Sequence, residues 1–190
     1  MPRAGLSREA VIDLAVGLAD REGFSAVTLA SVAAQAGVAT PSLYKHIESL
    51  ADLRSAVATV ATVELGRRST TATVGRSGED ALRELGRAIR AFATEHPGLY
   101  AATQTASTDL ASHELLLAQA DTVAIVAAVL RGFGLPADSE VDAVRAARSA
   151  IHGFVQLEAG NGFGMPDDVD DSFEVLLGVL IAGIGALSRR

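Results

Sequence analysis

The segment from Phe24 to Ile47, FSAVTLASVAAQAGVATPSLYKHI, constrains the fold of this chain more than any other. Thr28 has the side chain of a helix N-cap, and the short helix after it is expected to end just before Gly37. Gly37 is a residue that can turn sharply without a Cβ clash. Thr40 is expected to cap a second short helix with Pro41 at its first position, where the missing N–H costs nothing. The segment therefore predicts a helix-turn-helix.

The side chains of the second short helix suit contact with DNA. Positions where two crossed helices must touch are small or apolar, namely Val32, Ala33, Val38 and Leu43. Hydroxyl groups, an ammonium group and an imidazole follow closely, at Thr40, Ser42, Tyr44, Lys45 and His46. Such groups bind phosphates and base edges in a major groove. The open alternative is that these polar residues are simply solvated.

The rest of the sequence predicts helices from end to end. Apolar residues make up 49% of the chain and aromatic residues only 4%, which favours packed helices over sheet. A length of 190 residues allows a small head and a larger body. We predict an all-α protein of about nine helices, with a three-helix head at residues 1–50 and a helical body at residues 51–190.

Caps and apolar periodicity place the helices around the motif. Ser7 is the predicted cap of the first helix, which ends near Gly23. A longer helix is predicted from about Leu50 to about Arg67. A polar, glycine-containing break at residues 69–78 follows it.

Five further helices are predicted beyond this break. The first ends before Pro97, a second begins at Pro97, and a third spans residues 109–131. Ser139 followed by Asp142 resembles a capping box for the fourth helix. The fifth begins near Asp170 and carries a wide apolar stripe.

The charge balance limits how the chain could bind nucleic acid. The net charge of −7 argues against a protein that coats nucleic acid without sequence preference. The first sixty residues carry five basic and six acidic side chains, so the head is about neutral. Specific binding would therefore depend on where the charges are placed.

Enzyme motifs and metal-ligand motifs are missing from the sequence. No cysteine is present, which excludes disulfides, thiolate zinc sites and cysteine nucleophiles. The four histidines form no H-E-x-x-H arrangement, and there is no G-x-S-x-G turn. Gly160, Gly162 and Gly164 lie in an acidic loop that would repel phosphate. We expect no catalysis, no metal and no cofactor.

The sequence gives no sign of a membrane protein. The N-terminal MPRAGLSREAV lacks the apolar core of a signal peptide. The longest nearly continuous apolar run, residues 175–187, is shorter than the roughly twenty residues needed to span a bilayer. A cytoplasmic protein with no membrane partner is expected.

The quoted motifs resemble the TetR/AcrR family of transcriptional regulators. The match is strongest from Ser7 to about Val57, where GFSAVTLASVAAQAGVATPSLYKHIESLADL follows the family pattern almost throughout. In the body, HPGLYA, IHGFVQLEAGNGF and DDSFEVLLGVL are similar to C-terminal ligand-binding domains of the WHG type. The resemblance implies a ligand-responsive regulator, expected to be a repressor. Such a protein binds operator DNA and is released by a small molecule.

The resemblance also implies which residues contact DNA. Base or groove-wall contacts are implied for Thr40, Pro41, Ser42 and Lys45, and phosphate or backbone contacts for Thr28, Tyr44 and His46. Leu50 stands where the family commonly has a lysine, so that phosphate contact does not carry over to this chain. Arg3 and Arg8, on the N-terminal arm, are candidates to supply part of the missing attraction.

Two heads are needed for specificity, because one recognition helix touches too few base pairs. A two-fold homodimer on a near-palindromic operator is therefore expected. The last two long helices form the predicted dimer surface, and Gly178, Ala182 and Gly183 would allow close helix approach. The alternative is that the C-terminal helix is a core helix of the monomer.

Polar residues on apolar helix faces are candidates for a ligand pocket. Three of them, Arg148, His152 and Gln156, recur at i, i+4 and i+8 and so share one helix face. The full candidate set is Phe92, Tyr100, Gln104, Leu116, Gln119, Val123, Arg148, His152 and Gln156. Core polar groups or dimer contacts are the alternatives for these residues.

A ligand in the body would act by moving the helix that carries residues 53–60, which changes the separation of the recognition helices. A coupling free energy of about 1–3 kcal/mol would suffice for regulation. The competing function is a ligand-sensing or scaffold dimer without specific DNA binding. The near-neutral head and Leu50 support that alternative.

Overall fold

The computed structural model describes residues 6–104 and 112–188 of the chain. Eight α-helices and two short 3-10 helices lie within these ranges, and no strand does, which confirms the predicted all-α class. The α-helices are α1 (Arg8–Glu22), α2 (Leu29–Ala36), α3 (Leu50–Thr73), α4 (Gly78–Glu95), α5 (Pro97–Thr103), α6 (His113–Arg131), α7 (Glu140–Ala159) and α8 (Val169–Leu187). The 3-10 helices are Phe24–Ala26 and Thr40–Lys45.

Local caps form the first two α-helices as the sequence predicts. The Ser7 hydroxyl accepts a hydrogen bond from the Ala10 N–H at 3.2 Å, at the start of α1. Thr28 and Ser31 form a capping box at α2, and each side chain accepts the other's backbone N–H at 3.1 Å. Gly37 ends α2 in the left-handed region, with φ 67°, which a residue with a Cβ would adopt only under strain.

The second helix of the motif begins differently from the prediction. Its N-cap position is held by Ala39, in extended backbone, and Thr40 is the first residue of a 3-10 helix. Thr40 is therefore not the cap, and Pro41 is the second helical residue. The reason is that the first bond runs from the Ser42 N–H to the Ala39 carbonyl, at 2.8 Å, which places the backbone of Thr40 inside the turn.

Helix α3 is longer than predicted, and the predicted break at residues 69–78 shrinks to residues 74–77. Two threonines of this polar run satisfy their hydroxyl groups within the helix. Thr71 donates to the Arg67 carbonyl and Thr73 donates to the Ser69 carbonyl, both at 2.9 Å. A polar run of this kind can therefore remain helical. Gly75, with φ 76°, marks the true turn.

The last two helices begin close to their predicted positions, with one correction to a cap. Ser139 precedes α7 but has helical backbone, and its side chain caps no N–H. An N-cap hydroxyl must project from extended backbone to reach the first turn, and the helical backbone of Ser139 prevents this. The Ser139 hydroxyl donates to the Asp138 carboxylate. Helix α8 is capped by Asp168, which accepts the Asp170 N–H at 2.7 Å. The predicted start of α6, Asp109, lies outside the described residues.

The chain divides into two compact units. The first comprises residues 1–64 and 96–120, and the second comprises residues 65–95 and 121–190. In the first unit α1 packs against α2 and α5, and α2 packs against the Thr40–Lys45 helix. Its core includes Val11, Leu18, Val27, Val32, Leu43, Ile47, Leu53 and Val57. The predicted division at residue 50 stays a prediction.

In the second unit α4, α7 and α8 pack against one another in pairs. The apolar core of this unit includes Leu82, Leu85, Ala147, Ile181 and Ile184 from these helices, and Leu130 from α6. Arg90 on α4 links the other two helices, because its guanidinium binds Glu158 through Nε at 2.8 Å and Asp170 at 2.7 Å. The same guanidinium lies over the ring of Phe173, 4.9 Å from the centroid.

Among the described helices, α6 has the length and apolar composition of a membrane span, and 22% of that stretch is buried. The core helices of soluble proteins pass the same test, so the observation is weak evidence for a membrane.

Candidate nucleic-acid interface

The Thr40–Lys45 helix packs against the core of the first unit through its apolar side, and its polar side is exposed to solvent. Leu43 and Ile47 are buried, with 0% and 2% of their surface exposed. Tyr44 between them is 56% exposed, and Pro41 and Lys45 are also exposed. The remaining predicted contact residues of this segment, Thr40, Ser42 and His46, are half-buried. The motif therefore brings five of the seven predicted DNA-contacting residues together on one short helix, and the sixth, His46, follows directly after it.

The seventh residue, Thr28, lies at the start of α2 and is half-buried. Its hydroxyl oxygen lies 2.8 Å from the Ser31 hydroxyl and accepts the Ser31 N–H. Ser31 in turn donates to the Ala26 carbonyl at 2.8 Å. This network fixes the first turn of α2, the turn that the resemblance places against the DNA backbone.

Arg54, on α3, was not identified from the sequence. Its Nε donates to the Val27 carbonyl at 3.0 Å, and its guanidinium lies 5.8 Å from the centroid of the Phe24 ring. The side chain therefore fastens the loop before α2 to the long helix α3. No local pattern signals this contact, because Arg54 and Val27 are 27 positions apart.

Arg8 binds protein groups on the first unit and is not a free arm residue. Its two terminal nitrogens donate to the two carboxylate oxygens of Asp52, at 2.8 and 2.6 Å. Hydrogen bonding from Arg8 lowers the pKa of Asp52, and the same bond raises the pKa of Arg8. The Arg8 charge is thus paired with a carboxylate, and the expectation that Arg8 supplies attraction to DNA stays a prediction. Arg3 lies outside the described residues.

The residues predicted to line a ligand pocket are divided between the two units. The first unit holds Tyr100, Gln104, Leu116 and Gln119, and the second holds Phe92, Val123, Arg148, His152 and Gln156. Tyr100 and Phe92 are buried, whereas Leu116 and Val123 are each 44% exposed. Partial burial, and then the Arg148 guanidinium, lower the pKa of His152. The pocket that these residues would form stays a prediction.

A cleft of about 370 Å³ occurs in the second unit, and none of the residues that line it belongs to the predicted set. It is lined by Arg87, Arg90, Ala91, Thr94, Glu95, Glu158, Asp170, Phe173 and Glu174. Both of its arginines are bound to carboxylates of the same cleft. Among the described residues no group of three or more His, Cys, Asp or Glu side chains is arranged to hold a metal ion.

Comparison with known proteins gives matches over both parts of the chain. Residues 11–57 match the family described as bacterial regulatory proteins, tetR family, and residues 82–180 match the tetracyclin repressor-like C-terminal domain. The uncharacterized HTH-type transcriptional regulator Rv0681 of Mycobacterium tuberculosis is 36% identical over 88% of this chain and 75% of its own length.

Solved structures have the same fold. BioQ with its natural double-stranded DNA operator gives a TM-score of 0.69 at 21% identity, over 96% of this chain and 99% of the other. The Streptomyces coelicolor TetR family protein ActR in complex with (S)-DNPA gives 0.68 at 17% identity, over 97% and 99%. These matches agree with the family resemblance read from the motifs. The chain therefore belongs to the TetR family of DNA-binding transcriptional regulators.

Proposed function

We propose that the chain is a repressor that binds a near-palindromic operator as a homodimer and is released by a small molecule. The observation that carries the proposal is the two-sided Thr40–Lys45 helix. Leu43 and Ile47 anchor it in the core, and Tyr44 and Lys45 project from it. A short helix of this kind can enter a major groove. The operator complex of BioQ, which has the same fold, supports this use of the element.

Each exposed group has a distinct role in this proposal. Lys45 contributes the positive charge of the helix and reaches a base edge or the groove wall. The Tyr44 hydroxyl and the His46 imidazole bind phosphates beside it. Thr40, Pro41 and Ser42 enter the groove, and Thr28 lies against the DNA backbone at the start of α2.

The second half of the proposal is a dimer formed through α7 and α8. On α8, Val175 and Val179 are each 66% exposed, and the exposed Ala182 follows at the same face. A repeat at i, i+4 and i+7 forms a continuous apolar stripe on a helix. A second copy of the chain would remove this stripe from water. Val179→Asp should therefore give a monomer by light scattering and abolish operator binding.

The small-molecule half of the proposal rests on the body. ActR, a TetR family protein of the same fold, binds (S)-DNPA. Helix α3 runs from the first unit into the second, so a ligand that moves its second half would also move the recognition helix. We assign the chain no catalytic activity and place it in the cytoplasm, where its DNA target lies.

The test begins with selection of genomic fragments by the purified protein, followed by titration of the enriched fragment. Lys45→Ala should weaken binding at least tenfold, and should reduce the slope of log K against log salt by about two per dimer, one for each head. Arg131→Ala, an exposed cation in the body, is the matched control and should change neither quantity. Enrichment of no fragment would contradict the proposal.

A dimer that senses a ligand without binding specific DNA remains the second candidate. The near-neutral charge of the head favours it. In that case wild-type protein and Lys45→Ala would bind all DNA fragments equally weakly.

A further inference from the structure

We infer that Arg8 and Asp52 are positioning residues for operator binding, which hold the recognition helix in its orientation without contacting DNA. The inference rests on the proposed function. It concerns the turn of residues 46–49, which joins the Thr40–Lys45 helix to α3. A small rotation at this turn would swing Tyr44 and Lys45 together.

Arg8 bridges both sides of this turn. On one side its Nη1 donates to the His46 carbonyl at 3.2 Å, directly after the recognition helix. On the other side Nη1 and Nη2 hold the Asp52 carboxylate at 2.8 and 2.6 Å. Asp52 also accepts the Glu48 N–H at 2.9 Å, within the turn itself. Two of these four hydrogen bonds reach the turn, at the His46 carbonyl and the Glu48 N–H, and the other two join Arg8 to Asp52 on α3.

The donor inventory of Arg8 also favours a role within the protein. Three of its five N–H groups are used by His46 and Asp52. The planar fork of arginine matches both oxygens of a carboxylate, which the point charge of lysine cannot do. The pair also neutralises the Asp52 carboxylate.

Asp52→Asn distinguishes a positioning role of Arg8 from a phosphate-binding role, because the two roles predict opposite changes in operator affinity. If Arg8 bound phosphate, Asp52→Asn would release Arg8 and remove a negative charge, so operator affinity would rise. If the pair positions the helix, affinity falls although a negative charge is lost. We expect a fall of about five- to tenfold, with the salt slope unchanged because no phosphate contact is removed.

Glu48→Gln is the matched control. It removes a negative charge four residues away, and the Glu48 backbone N–H still binds Asp52. We expect its operator affinity to stay equal to or above the wild-type value, because only repulsion is lost. A fall of the same size in both variants would overturn the inference.

Arg8→Lys is the second variant, which matters if Asp52→Asn loses its fold as measured by circular dichroism. Lysine keeps the charge but not the fork, so the positioning role predicts about a fivefold fall in affinity with an unchanged salt slope. Wild-type affinity for Arg8→Lys, or tighter binding by Asp52→Asn, would overturn the inference and leave the proposed function standing. Failure of the wild-type protein to select any operator would overturn both.

Discussion

Gly98, at the second position of α5, lies directly against the carbonyl oxygen of Ala19 near the end of α1. A Cβ on Gly98 would overlap that oxygen and lie 3.1 Å from the Cα of Gly23. Just before α5, the His96 Nδ1 lies 2.9 Å from an Asp20 carboxylate oxygen. Helix α5 is therefore docked on α1, in the same compact unit as the helix-turn-helix.

Gly98→Ala should disrupt this docking. The new methyl group meets backbone, which cannot move aside as the end of a side chain can, so we expect a loss of about 1–3 kcal/mol in the free energy of unfolding. Urea denaturation measures this loss. Gly17→Ala is the control, since its Cβ would meet only the flexible end of Arg21. The control should be neutral or more stable by about 0.5–1 kcal/mol, and equal losses in both variants would refute the steric explanation.

Arg90→Ala should destabilise the second unit. The Arg90 side chain is only 16% exposed, and its removal leaves the partly buried Glu158 without its partner. We expect a loss of about 2 kcal/mol, because a carboxylate left unpaired in a poorly hydrated place is costly. Arg87→Ala is the matched control on the same helix, where the side chain is 46% exposed and Glu174 keeps Arg83. Its loss should be about 0.5 kcal/mol. Similar losses in thermal denaturation of the two variants would contradict the role assigned to Arg90.

Ser69→Ala should raise the stability of the protein or leave it unchanged. The Ser69 hydroxyl is buried in α3 and has no hydrogen-bond partner among the described residues, so its burial carries a cost in free energy that an alanine would not have. The expected gain is about 1 kcal/mol in urea denaturation. Ser55 is also buried in α3, but its hydroxyl oxygen accepts the Ser112 N–H. Ser55→Ala should therefore lower the free energy of unfolding by about 0.5–1 kcal/mol. A loss on Ser69→Ala would mean that the hydroxyl has a partner.

The Arg8–Asp52 pair should make stability depend on acid pH. The folded-state pKa of Asp52 lies below its ordinary value of 3.8, so the ionised carboxylate stabilises the fold at higher pH. This contribution is lost as the pH falls through the lowered pKa. Because Arg8 is 44% exposed, solvent screening limits the contribution to about 1 kcal/mol.

Urea denaturation between about pH 2.5 and 6 tests this dependence. The stability difference between wild-type protein and Asp52→Asn should be present at pH 6 and vanish at the acid end. A difference that is constant across this range would contradict the ion-pair explanation.

Local chemistry explains why so much of the fold could be read from the sequence. The caps at Ser7 and Thr28 and the left-handed turn at Gly37 each depend on residues within four positions. A local sequence pattern therefore contains all the residues that each of them needs. Residues 69–78 were predicted to form a break because the run is polar and contains glycine, yet its first threonines are helical. Their hydroxyl groups found carbonyls one turn back, which composition alone does not reveal.

The sequence predicted the helix-turn-helix motif of the interface, but not the long-range side-chain contacts that hold the motif in place. Leu43 and Tyr44 differ in polarity, so their opposite exposures follow from the pattern. Arg8 and Asp52 are 44 positions apart, and Arg54 reaches back 27 positions to Val27. Such pairings depend on tertiary packing. The sequence shows that Arg8 is charged but does not show which group it binds. The cleft beside Arg90 likewise brings together residues of α4, α7 and α8 that are far apart in the sequence.

Hydroxyl-radical footprinting of the enriched genomic fragment tests the central claim most directly. Two recognition helices related by two-fold symmetry should protect two equivalent patches, with centres one helical turn, about 10 base pairs, or a multiple of it apart. Tyr44→Ala and Lys45→Ala should remove both patches together while the dimer persists in light scattering. A single patch, or protection that survives both substitutions, would contradict the claim that the Thr40–Lys45 helix of each protomer reads the operator.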